Sequence, residues 1–138
     1  MKKKITVKNI LIVIILFLSC TNSIEFIGSF DFKIEENHIE AGHVFQLSRN
    51  TINIVPEREV SSAKYYFSYV LDKGVGEYQD VNGNVFVAET EYELKTLENI
   101  INYYPKSKGQ HIVKLNIRDN KSNEKSLVLN YQIEYSSF

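Results

Sequence analysis

Val113-Lys114-Leu115-Asn116-Ile117-Arg118-Asp119 and, a few residues on, Leu127-Val128-Leu129-Asn130-Tyr131-Gln132-Ile133-Glu134-Tyr135 decide the fold class. In the first run Val113, Leu115 and Ile117 share one face, and Lys114, Asn116 and Arg118 share the other. That is the period-two pattern of a half-buried strand. The run closes at Asp119, and Asp119 to Glu124 reads as a polar turn. Leu127, Leu129, Tyr131, Ile133 and Tyr135 then resume the alternation against Asn130, Gln132 and Glu134.

The same pattern extends toward the N-terminus. Phe30, Phe32 and Ile34 alternate with Asp31 and Lys33. After a turn around Glu36 to Gly42, His43 to Leu47 resumes the alternation, with Phe45 and Leu47 expected on one face. Ile52 and Ile54, stopped by Val55-Pro56, read as a short continuation or a separate edge piece. Lys64 to Leu71 is rich in aromatic and β-branched residues and has high strand propensity. Asp80-Val81-Asn82-Gly83-Asn84 separates two short runs, and Asn-Gly between apolar segments is a strong hairpin signal. Val85 to Val87, Tyr92 to Leu94 and Ile100 to Tyr104 are further short strands. Leu94, Leu97 and Ile101 fall at helical spacing. The asparagines and the Ile100-Ile101 pair limit any helix there to one turn near Glu93 to Asn99. Short strands at such spacing predict an all-β immunoglobulin-like sandwich of about seven antiparallel strands over residues 30–138. No internal repeat divides it.

Ahead of the strands lies a different kind of sequence. Lys2, Lys3, Lys4 and Lys8 precede nine apolar residues, Ile10 to Leu18, and Ser19-Cys20 follow at once. A bilayer-spanning helix needs about 20 apolar residues. Positive flank, short apolar run and small residue together spell a secretory signal over residues 1–19. Phe17-Leu18-Ser19-Cys20 resembles the lipobox of bacterial lipoproteins, in which the Cys is acylated by chains such as palmitate and becomes the first mature residue. Phe17 and Leu18 depart from its most typical form. Cys20 is thus the expected lipidation site, residues 20–29 the lipidated tether, and the membrane a partner through lipid alone. No acidic residue follows Cys20 directly, which points to the outer membrane.

The 138 residues suit one domain, and 43% hydrophobic with 24% charged content excludes bulk disorder. A lone Cys excludes an internal disulfide and a Cys-rich zinc site. Beyond Ser19 the chain carries 12 basic and 17 acidic residues, a net charge of −5. Without a basic stripe, nucleic acid is a poor partner.

Candidate chemistry is sparse. His38, His43 and His111 have no metal-ligand spacing. Asp80-x-Asn82-Gly83-Asn84 places its Gly at position four where an EF-hand needs it at six, so a hairpin is expected. Glu89, Glu91 and Glu93 share a face if extended, as on a charged edge strand. No nucleophile elbow or phosphate loop is present. The expectation is a non-enzyme with no cofactor, metal or small-molecule substrate, acting on a protein partner in the cell envelope. Nine tyrosines, with the adjacent pairs Tyr65-Tyr66 and Tyr103-Tyr104, leave open binding of a glycan or host ligand through exposed rings.

Gly109-x-His111-x-Val113-x-Leu115-x-Ile117-x-Asp119, preceded by Tyr104-Pro105, resembles the penultimate strand of PKD-like and other immunoglobulin-like modules. The longer pattern is more specific. Phe30-Asp31-Phe32-Lys33-Ile34-Glu35, Ile39-Glu40-Ala41-Gly42 and Lys64-Tyr65-Tyr66-Phe67-Ser68-Tyr69 follow one another in order. Gly74-Val75-Gly76, Asn82-Gly83, Tyr92-Glu93-Leu94, Tyr103-Tyr104, Gln110 and Asp119-Asn120 complete the series. With its lipoprotein signal, the chain is similar to the TraQ-type lipoproteins of Bacteroidetes conjugative transposons. Pro105-Lys106-Ser107-Lys108 and Asn102 depart from that pattern. The resemblance implies a lipid-anchored accessory of a conjugative transfer system.

Overall fold

A computed structural model describes residues 30–137. The expected signal peptide, Cys20 and residues 21–29 lie outside the described residues. Ten strands and no helix make up the described chain: β1 (Phe32–Asn37), β2 (Ala41–His43), β3 (Ser48–Pro56), β4 (Tyr65–Lys73), β5 (Gly76–Gln79), β6 (Val85–Phe86), β7 (Tyr92–Leu94), β8 (Glu98–Pro105), β9 (Gly109–Asp119) and β10 (Glu124–Glu134). They form two five-stranded sheets, ordered β1-β3-β8-β5-β6 and β2-β10-β9-β4-β7.

The expected count of about seven antiparallel strands is corrected to ten, with one pairing, β2 on β10, parallel. The extra elements are short pieces without a legible alternation. The segment from Ile52 to Pro56 is no edge piece: it belongs to the nine-residue β3, which lies between β1 and β8. Lys95 to Leu97 is a bend, so the stretch near Glu93 to Asn99 contains no helical turn.

His43 to Leu47 is also corrected. β2 stops at His43, and Val44, not Phe45 or Leu47, is buried. Phe45 adopts φ 62°, which breaks the alternation and turns its side chain outward.

Alternation fills the core from both layers. Phe32, Ile52, Ile54, Ile101 and Tyr103 come from one sheet. Phe67, Tyr69, Val113, Leu115, Ile117, Leu129, Tyr131 and Ile133 come from the other. Each fully buried aliphatic chain contributes about 1.5–3 kcal/mol. Phe67 meets Phe86 edge-on at 5.2 Å and Tyr78 at 6.4 Å between ring centres, so aromatic contacts bind the layers where β6 is short.

Two hairpins share one turn chemistry. Asp80 Oδ1 accepts the backbone N–H groups of Asn82 and Asn84 at 2.8 and 2.9 Å, and Oδ2 accepts Asn84 Nδ2 at 2.7 Å. Asp119 does the same for Lys121 and Asn123 at 2.8, 2.9 and 2.7 Å. Residue i+3 has positive φ in both, Gly83 at 84° and Ser122 at 72°. The Asp80 loop is thus a hairpin turn whose carboxylate oxygens are occupied by its own backbone and by the Asn84 side chain.

The long strands give the molecule two poles. Phe30, Pro56, Tyr65 and the Asp119–Glu124 turn gather at one, tied by the Asn123 Nδ2 bond to the Phe30 carbonyl at 3.4 Å. His43, Phe45, Gly74, Pro105, Gly109 and Ile133 gather at the other. The eleven residues of β9 separate the poles by about 35 Å.

Candidate functional site: an apolar corner at the pole opposite Phe30

The residues singled out by sequence do not converge. His38 Nδ1 donates to Glu36 Oε2 at 2.7 Å, and the ring sits edge-on against Tyr131. His43 is exposed on β2, and His111 is fully buried on β9. Among the described residues no group of three or more His, Cys, Asp or Glu could hold a metal ion. Glu89 sits in a turn at φ 61°, out of line with its neighbours. Glu91 receives two bonds of 2.8 Å from Arg118, and Glu93 faces Lys95 at 3.1 Å. Those hydrogen bonds hold both carboxyls below the usual glutamate range. They are solvated ion pairs beside the edge strand β7, each contributing little to stability.

His111 anchors a buried cluster that sequence reading did not find. Its Nδ1 is 2.6 Å from the Tyr103 hydroxyl, and its Nε2 is 3.0 Å from Ser107 Oγ. Tyr103 stacks on Tyr131 at 4.5 Å, and Tyr131 bonds Tyr78 at 2.8 Å and Asn50 Oδ1 at 3.2 Å. Burial lowers the His111 pKa, with a bond at Ser107 opposing it, and burial pushes the Tyr78 hydroxyl well up. The Ser–His pair has the spacing of a nucleophile and base, yet Gly74 lies directly over the imidazole and Ser107 Oγ also accepts the Val75 N–H at 3.1 Å. A neutral, fully covered imidazole with both nitrogens engaged clamps the 74–76 and 105–109 loops to the core. The signal was available: His111 shares the inward register of Val113 and Leu115.

The tyrosines face mainly inward. Tyr65, Tyr69, Tyr78, Tyr103 and Tyr131 are buried, and Arg118 covers Tyr66 at 4.9 Å. Among the described residues only Tyr135 is largely exposed, and Tyr66, Tyr92 and Tyr104 are half-buried.

What the surface does offer is an apolar corner. Phe45 is 63% exposed, Ile39 58%, Val75 57% and Leu47 55%, and the half-buried Tyr104 ring lies 6.2 Å from that of Phe45. Backbone bonds hold them together: Phe45 N–H to Pro105 O at 2.9 Å, Lys106 N–H to Val75 O at 2.7 Å. Ser48 Oγ bonds the Ile39 carbonyl at 3.4 Å. Ion pairs form the rim, Lys106 with Glu77 and Lys108 with Glu134. An apolar centre inside a charged rim is the anatomy of a protein-contact surface. The exposure of Phe45 costs it a left-handed backbone, which the Pro105 bond fixes.

At the opposite pole a solvent-open groove of about 540 Å³ runs past Pro56, Val60, Ala63, Tyr65, Leu94 and Leu97. Among the described residues no helix is long and apolar enough to cross a membrane.

Three of the solved structures that superpose on this fold come from Bacteroides. A conjugative transposon lipoprotein of Bacteroides eggerthii superposes with a TM-score of 0.67 at 21% identity, covering 72% of this chain and 95% of its own. A lipoprotein of Bacteroides thetaiotaomicron gives 0.68 at 18%, covering 83% and 89%. A conjugate transposon protein of Bacteroides vulgatus gives 0.66 at 18%, covering 80% and 91%. At these identities the likeness speaks for the fold. No curated protein sequence matches. The family model described as TraQ conjugal transfer protein matches residues 3–134, nearly the whole length. This chain therefore belongs to the TraQ conjugal transfer protein family.

Proposed function

We propose that this protein is an accessory of a conjugative transfer apparatus, acylated on Cys20, held at the outer membrane, and acting by protein contact through the Phe45 corner. Family membership supports the transfer role. The relatives described as lipoproteins, together with Ser19-Cys20 after the nine-residue apolar run, support the anchor. Two packed β-sheets of this size support an immunoglobulin-like assignment.

The single observation that carries the contact mechanism is the exposed Phe45–Leu47–Val75–Tyr104 corner with its ion-paired rim. It lies at the pole opposite Phe30, so a tether entering at Phe30 presents the corner away from the membrane. One acyl chain binds only reversibly, whereas several hold stably.

The test is a mating assay in a donor lacking this gene, complemented by wild type, Cys20→Ser or Phe45→Asp. Wild type restores transfer. Cys20→Ser leaves an uncut precursor without fatty-acid label, and Phe45→Asp is labelled and folded; both transfer about tenfold or more below wild type. Full transfer without the gene overturns the role, equal label on Cys20→Ser overturns the anchor, and full rescue by Phe45→Asp overturns the contact site.

A further inference from the structure

β10 is eleven residues long, and β2 covers only Gln132 to Glu134 of its outer side. Gln132 N–H donates to Glu40 O at 2.6 Å and Glu134 O accepts Val44 N–H at 3.0 Å, so these residues turn their backbone groups away from β9. By strand alternation Glu124, Ser126, Val128 and Asn130 do likewise. No strand pairs with that stretch among the described residues.

Other sheet edges carry the usual protection. β1 bears Lys33, Glu35 and Glu36, and β7 has three residues among Glu91, Glu93 and Lys95. β2 and β6 have three and two residues. Short or charged edges resist pairing. Ser126-Leu127-Val128-Leu129-Asn130 has neither charge nor proline nor bulge, and Val128 is 58% exposed.

We infer that this edge pairs with the same edge of a second copy, antiparallel about a two-fold axis at Leu127. Two stops set the register: the turn through Ser122 and Asn123 before the strand, and β2 at Gln132 after it. Only the centre at Leu127 uses the whole of 124–130 and meets neither stop. It sets Glu124 opposite Asn130 of the other copy and Ser126 opposite Val128, with no like charges facing. Four such pairs supply about eight backbone hydrogen bonds. The β10-containing sheet of each copy thereby joins that of the other, ten strands in all. A single strand pair is a small interface, so the dimer dissociates on dilution through roughly 1–100 μM.

The experiment is sedimentation equilibrium of the full chain in detergent, with amide hydrogen exchange, for wild type, Val128→Lys and the control Val81→Lys. Wild type is expected to dimerise, with Ser126, Val128 and Asn130 amides slowed. Val128→Lys sets two lysines beside the axis and weakens the dimer about tenfold or more, with an unfolding midpoint unchanged at dilutions where wild type is monomeric. Val81→Lys, on the distant hairpin, dimerises like wild type. A monomer at every concentration overturns the inference, as does a dimer indifferent to Val128→Lys. Slow amides in a monomer also overturn it, since the edge is then covered by something other than a second copy.

Discussion

His111 shows how one residue can be half legible. Its place on the inward face of β9 follows from alternation, but its partners Tyr103 and Ser107 come from the preceding strand and loop, where nothing in the spacing marks them. The consequence is a pH dependence. The unfolded chain protonates His111 near pH 6.5, while burial makes the folded ring resist the proton. Stability is therefore full above about pH 6.5 and declines as pH falls toward the lower folded value. The unfolding midpoint of wild type, followed by circular dichroism, is expected to drop on acidification from about pH 6.5. His111→Gln, less stable throughout, loses that share of the slope. A wild-type midpoint flat across this range contradicts the assignment.

At the level of elements, β9 and β10 were readable because eleven-residue strands display several alternations each. β5 was not: Gly76-Glu77-Tyr78-Gln79 has one apolar side chain, yet Tyr78 is fully buried. β2 was hidden because Ala41-Gly42-His43 has no pattern, and its position is set by the tail of β10. The turns are where sequence says most per residue, since Asp at i and Asn at i+4 recur in both hairpins. They differ at i+3, where Gly83 is at ease and Ser122 carries a Cβ in the left-handed region. Ser122→Gly is expected to stabilise by about 0.5–1 kcal/mol, less than the full left-handed cost because glycine also loses more entropy on folding. Asp119→Ala, which strips a buried carboxylate from Lys121 and Asn123, is expected to cost about 1–3 kcal/mol. Urea unfolding of the two variants measures both; a destabilised Ser122→Gly would count against the strain at that turn.

For the whole molecule, the layered β architecture and the family resemblance were readable from patterns spread along the chain, whereas the apolar corner was not. Alternation set Phe45 and Leu47 on one face of a strand, but the left-handed backbone at Phe45 ends the strand pattern and both side chains are exposed. The arrangement of the poles also has a mechanical side. β1 leaves the Phe30 pole and runs beside β3 toward the Phe45 corner, in register from Phe32 opposite Pro56 to Asn37 opposite Thr51. Tension applied at Phe30 and resisted at the corner acts along these two strands, not across them. The rungs between them then share the load in shear and do not break in succession. Resistance to pulling is governed by the unfolding rate, not by equilibrium stability. An optical trap gripping the chain at its N-terminal end and at residue 45 is expected to record a higher rupture force than one gripping residues 124 and 119, which peels β10 from β9 at their shared turn. In such a geometry the two strands withstand a pull as a lap joint does, by loading their whole overlap at once.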